Sequence, residues 1–125
     1  MLQRTLAMHW KQQDSAVAVS DSTPLWVLDD MLKHGRHQLA LVLTDTGRVL
    51  GLLRREVVLR FAERLPEVPV RLLPVEKVYR FSPAAEEAEL QRALSDEEIV
   101  AFAEQHAREW KITLRENVEG ARPTR

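Results

Sequence analysis

Residues 36–61, RHQLALVLTDTGRVLGLLRREVVLRF, hold the stretch on which the reading of the fold turns. Leu39 to Leu43 is an apolar run, Thr44-Asp45-Thr46-Gly47 a tight polar turn, and Val49 to Leu53 a second apolar run. Two short apolar runs around such a turn spell a β-hairpin. Gly47 supplies the residue that tolerates positive φ at low cost. Runs that are apolar throughout, rather than alternating, predict strands covered on both faces. Gly51 lies inside the second strand, where a glycine marks a bulge or the close approach of another backbone or a ligand. A helix follows with almost no linker. Val57, Val58, Phe61 and Leu65 share one of its faces, with Arg54, Arg55, Arg60 and Arg64 off it.

Upstream, Leu2, Leu6 and Trp10 recur at steps of four, the spacing of one face of a short N-terminal helix that ends in the polar run Lys11 to Ser15. Ala16 to Ser20 predicts a short strand. Asp21-Ser22-Thr23-Pro24 then opens a helix: Thr23 is suited to cap its free amides, and Pro24 fits a first position that needs no N–H. Leu25, Leu28, Met31 and Leu32 form its apolar face, and Gly35 is the expected left-handed terminator.

Downstream, Pro66, Pro69 and Pro74 fix φ and remove donors, so LPEVPVRLLPVEK is a connector able to hold at most an edge strand. Val78 to Phe81 alternates and predicts a strand. Ser82-Pro83 repeats the helix start of Thr23-Pro24 at a distance of 59 residues. No glycine occurs between Gly51 and Gly120, so no second hairpin is expected. Ser95 with Glu98 instead has the form of a capping box. Ile99, Ala103, His106/Ala107 and Trp110 follow on one helical face, which places His106 near a helix end. Trp110 to Leu114 alternates and is open to a final strand, and Glu116 to Arg125 is expected to fray.

At 125 residues the chain is large enough to bury a core in one domain. It has no cysteine, which excludes disulfides, thiolate metal sites and cysteine nucleophiles. Apolar runs of five residues fall far short of the roughly 20 of a membrane span, and MLQRTLAMHWK lacks the apolar block of a secretory signal. A soluble cytoplasmic protein without membrane insertion, or the soluble part of a larger assembly, is the expectation. Net charge is −1, which gives no global field for nucleic acid. Residues 33–64 carry seven Lys/Arg against three acids, and residues 86–104 seven acids against Arg92, two patches of opposite sign.

The order strand, Thr-Pro helix, strand, turn, strand, helix over Ser15 to Arg64 resembles the CBS domain, the module named after cystathionine β-synthase. The matching stretches are AVAVSDSTPLWVLDDMLKHG and LVLTDTGRVLG, with Gly47 and Gly51 four residues apart. Leu28-Asp29-Asp30-Met31 and Glu56 are similar to the CBS regions of CorC/haemolysin-type transport proteins. The resemblance implies an α/β (α+β) fold built on a β-α-β-β-α unit, with additional C-terminal helices. The expected organisation is one domain over 1–125: a CBS-like motif at 15–65, a Pro-rich connector at 66–77, a degenerate second motif at 78–115 and a flexible tail at 116–125.

It also implies a non-catalytic regulatory module, homodimeric, sensing an adenosine nucleotide (ATP, ADP or AMP) or S-adenosylmethionine in the cleft between motifs. The residues it assigns to that ligand are Val19, Asp21, Leu41, Gly51, Arg54 and Arg55. Where the family often has Thr or Ser three residues after the second glycine and Asp six residues after it, this chain has Arg54 and Val57. Valine offers no acceptor for a ribose hydroxyl, whereas Arg54 is a charged donor suited to phosphate. A ligand-free interaction module of the same fold, with a protein partner, is the alternative. A small enzyme is the third reading, though no nucleophile elbow, P-loop or dinucleotide glycine pattern is present. His34 and His37 lie three apart, but Gly35 breaks the helix between them, and no metal ligand set is assigned. Trp10, Trp26 and Trp110 fit core or interface anchors, Trp26 partly off the apolar face of its helix.

Overall fold

The computed structural model describes residues 10–82, 84–107 and 109–115. The expected helix over 2–10 falls almost wholly outside them, as do Pro83 and the tail from 116. Six strands and three α-helices follow in order: β1 (Trp10–Ser20), α1 (Leu25–Gly35), β2 (Leu39–Leu43), β3 (Val49–Arg54), α2 (Arg55–Ala62), β4 (Lys77–Arg80), α3 (Glu87–Ser95), β5 (Ile99–His106) and β6 (Glu109–Arg115). A 3-10 turn at Val70–Leu72 sits within the connector. The fold is α+β with one six-stranded sheet in the order β3-β2-β1-β6-β5-β4.

The hairpin forms as its residues predict, with Gly47 at φ 87 and β2 antiparallel to β3. Both faces of β2 are covered: Ala40 and Val42 join one buried cluster, Leu39 and Leu41 another. The first cluster lies under α1 and α2 and includes Val19, Leu25, Leu28, Leu32, Leu53 and Val58. The second is shared by the two halves of the chain, combining Ala16, Leu41 and Leu52 with Ala101, Ala103, Trp110 and Ile112. A third, small cluster of Ala93, Ile99 and Phe102 lies under α3. Every buried residue among those described is apolar.

β1 is longer than expected. The run 11–15 extends the strand, because its backbone finds partners in β6. Residues 10–16 pair antiparallel with β6 and residues 17–20 parallel with β2. One strand therefore belongs to both halves.

The largest correction concerns the second half. Residues 99–106 are strand in place of the expected helix, and the strand left open at Trp110 to Leu114 forms within β6, so that β4-α3-β5-β6 repeats the strand-helix-strand-strand order of β1-α1-β2-β3. Ala101, Ala103, Trp110 and Ile112 pack on the shared cluster while Phe102 packs under α3, the alternation of strands. Ala107 takes the left-handed turn position at φ 58 without a glycine. Ser95 ends α3, donating to the Gln91 carbonyl, and caps nothing downstream. His106 accordingly stands at a strand end, 3.2 Å from Glu104. Ser82 accepts from the Ala84 amide in a local turn, but α3 starts only at Glu87.

The ends of α1 also differ from expectation. Thr23 makes no capping bond; the helix starts after Pro24 with no side-chain cap. Its first amides are met by the connector instead: Leu25 donates to the Val68 carbonyl at 2.9 Å and Trp26 to that of Pro66 at 3.0 Å. Free first-turn amides need any acceptor, and a proline-rich segment brings carbonyls with few donors of its own. At the other end Gly35 is still helical and Arg36 takes the left-handed position at φ 58. A Cβ on Gly35 would meet the His37 ring at 2.7 Å, so the glycine makes room for that ring.

Candidate functional site at the seam between the halves

The two ends of the sheet, β3 and the entry to β4, come together at the end of the connector. Leu52 donates to the Glu76 carbonyl at 3.0 Å and Glu76 donates back to that of Leu52 at 2.9 Å. This single antiparallel bridge joins the two outermost strands and nearly closes the sheet on itself. Gly51 makes the approach possible. A Cβ there would lie 2.6 Å from Val75 Cβ and 2.7 Å from the Glu76 carbonyl oxygen. The close approach that an in-strand glycine foretells is that of the chain's own connector.

Arg54, at the end of β3, turns its guanidinium onto the Glu76 carboxylate. Nε to Oε2 is 2.6 Å and the second nitrogen reaches Oε1 at 3.2 Å, a two-bonded fork. Both side chains are about one-third exposed, at 36% each. The hydrogen bond it donates to Glu76 holds the arginine above its ordinary pKa against the opposing effect of burial, and the charges of Glu76 and Glu56 add to it. Arg54 is thus a cation with one acid bonded and a second close by.

The residues assigned by resemblance fall in three places. Gly51 and Arg54 meet at the seam, and Arg55 follows as the first residue of α2, its amide bonded to the Gln38 carbonyl. Val19 is buried under α1 and Leu41 in the cluster shared by the halves, two separate cores. Asp21 stands at the far end of β2, its amide on the Leu43 carbonyl and its own carbonyl accepting from Arg71. Arg54 is opposite Leu39 at the near end, so the length of β2, about 13 Å, separates the two. Val57 packs against the outer cluster under the helices. Glu76, which the sequence presents as one more charge in a connector, is the group that completes the site. Only the bridge to Leu52 brings it there.

Elsewhere the charged groups are tied locally. Lys77 bonds Asp96 at 2.7 Å across the second half, and His34 contacts the Asp30 backbone and carboxylate on the same helix. Arg80 lies over the Trp110 ring at 5.2 Å, covering one margin of the shared core. Among the described residues no group of three His, Asp or Glu side chains is placed to hold a metal ion, and no helix is long and apolar enough to cross a membrane.

No family model matches the sequence, and no curated protein matches it. Solved structures do match the fold. A hemolysin-like protein containing a CBS domain, from Oenococcus oeni PSU, superposes with a TM-score of 0.60 at 9% identity, over 91% of this chain and 90% of that one. The fold is CBS-like. A CBS domain protein from Streptococcus pneumoniae TIGR4 superposes with a TM-score of 0.52 at 15% identity, over 91% and 82%. The cytosolic domain of the Mg²⁺ channel MgtE, in complex with ATP, gives 0.52 at 17% identity over 89% of this chain and 45% of that one. β1-α1-β2-β3 and β4-α3-β5-β6 share one element order, and Glu76 enters the seam between them.

Proposed function

We propose that the chain is a non-catalytic regulatory module of CBS-like fold that works by packing against a second copy of itself. The observation that carries this reading is the outer surface of the helical layer. α1 and α2 lie side by side in opposite directions, since the start of α1 bonds the segment after α2 and the start of α2 bonds the segment after α1. At the shared end Trp26 is 52% and Leu65 49% exposed, and Leu59 on α2 is 39% exposed. A large aromatic beside leucines in the open is the kind of surface that association covers.

Sedimentation across a dilution series tests it. The wild-type chain is expected as a dimer that persists on dilution, and Trp26→Asp as a folded monomer, because an exposed residue costs little fold stability when changed. A monomeric wild type, or a Trp26→Asp dimer of unaltered strength, counts against the reading.

A second reading is that the module senses an adenosine nucleotide or S-adenosylmethionine between its two halves, which also sets it in the nucleotide-rich cytoplasm. Support comes from the ATP complex of the MgtE cytosolic domain, a structural neighbour. A ligand acts there only through unequal affinity for two arrangements of the halves. Calorimetric titration with ATP, ADP, AMP and S-adenosylmethionine tests it, and no heat at millimolar ligand removes it.

A further inference from the structure

We infer that the self-association proposed above, on which this rests, runs through the α1–α2 face alone, and that the two α3 faces stay apart and open to solvent in the pair.

A two-fold contact sets one patch against its own copy, so a patch takes part only if it complements itself. The helical surfaces of the two halves differ in that respect. On α1, α2 and the turn that closes α2, the exposed charges are Asp30, Glu56 and Glu63 against Lys33, Arg60 and Arg64, three of each sign. Half-buried Asp29 and Arg55 leave that balance unchanged. A surface of mixed and equal charge can set its acids against the bases of its copy. On α3 and its flanks the exposed charges are Glu86, Glu87, Glu89, Glu97 and Glu98 against Arg92 alone. A second α3 presents the same excess of acid, and like charges across a contact repel.

Apolar surface divides the same way. Among the described residues the exposed large hydrophobic side chains are Trp26, Leu50, Leu59, Leu65 and Leu72, all in the first half and the connector. Trp26, Leu59 and Leu65 lie on the α1–α2 face, whereas Leu94 of α3 is turned onto the small cluster beneath that helix. Laying α1–α2 of one copy on α3 of the other gains nothing from a balanced surface and sets Trp26 against glutamates that lose their water. The pair is therefore joined through the first half of each chain.

The chain has no cysteine, so one introduced thiol reports one position. Maleimide labelling rates are compared for Leu59→Cys on α2 and Ala88→Cys on the exposed side of α3, each with and without Trp26→Asp. Where about nine-tenths of the chains are paired, a covered thiol reacts only through the free fraction, so Leu59→Cys is expected to label about tenfold slower with Trp26 intact. Ala88→Cys is expected to label at one rate in both backgrounds, and the labelled protein to sediment as the dimer. Should Leu59→Cys itself weaken the pair, Arg60→Cys takes its place. Protection at Ala88→Cys to match that on α2 overturns the inference and leaves the dimer standing. So does a dimer with neither α2 thiol protected. A chain that sediments as a monomer overturns the inference together with the self-association beneath it.

Discussion

Gly51 and Tyr79 show how far single residues carry meaning. The glycine was legible as a bulge or a close approach, and both are there, the register shifting beside it between Val42 and Leu43, but the partner was not. Val75 and Glu76 reach it from 24 and 25 residues away, and the sequence does not state that distance in space. Arg54 repeats the lesson: an arginine at the end of a strand can be read, and the carboxylate it bonds cannot. Tyr79 had no assigned role. In the structure its ring packs on Phe102, and its hydroxyl donates to Glu89 at 2.9 Å. Burial, then that hydrogen bond, pushes its pKa from 10.0 up to about 12. A pKa raised on folding gives stability that is whole below the unfolded value and lost as pH rises through the folded one. Stability should therefore fall between pH 10 and about 12, and Tyr79→Phe should flatten that fall. Tyr79 is the chain's single tyrosine, so its tyrosinate absorbance reads this group alone. A midpoint near 10 would show that neither the burial of the ring nor its contact with Glu89 holds in solution.

At the scale of elements, the first hairpin was legible and the second was not, for a reason visible in their turns. Gly47 advertises a left-handed turn position, whereas Ala107 occupies one at φ 58 with no sequence signal. Apolar residues at 99, 103 and 110 also imitate helical spacing, because the small Ala101 between them fills an inward strand position without standing out. Ala107 in that conformation holds a penalty that glycine would not. Ala107→Gly should stabilise the fold by about 1 kcal/mol, seen as a higher urea midpoint with unchanged slope. A lower midpoint would mean that the turn takes a right-handed form. The start of α1 is the converse case. The Thr-Pro signal placed the helix correctly, but the capping itself comes from connector carbonyls at Pro66 and Val68, contacts across forty residues.

For the whole molecule, β1 sets the behaviour. Its first part belongs to the sheet of the second unit and its last part to that of the first. One buried cluster draws on both halves, so parting them would expose Leu41, Leu52, Trp110 and Ile112. Unfolding is expected as one transition, with tryptophan fluorescence and far-ultraviolet circular dichroism coincident in urea. Separated transitions would show that the halves are independent and that β1 pairs with one of them only.

The sequence by itself determined the elements from strand 16–20 through the helix at 55–62, because local periodicity, the Gly47 turn and proline placement there agree with the final packing, although Thr23 and Gly35 do not cap the first helix. It determined as well that the interior would be apolar on both sides of β2. The tertiary structure alone decided that residues 11–15 are strand, that 99–115 form a second hairpin, and that Glu76 fills the position facing Arg54. Each of these rests on partners distant in the chain, hydrogen-bonded or paired across the sheet, and such pairings leave no periodic mark on the residues that make them.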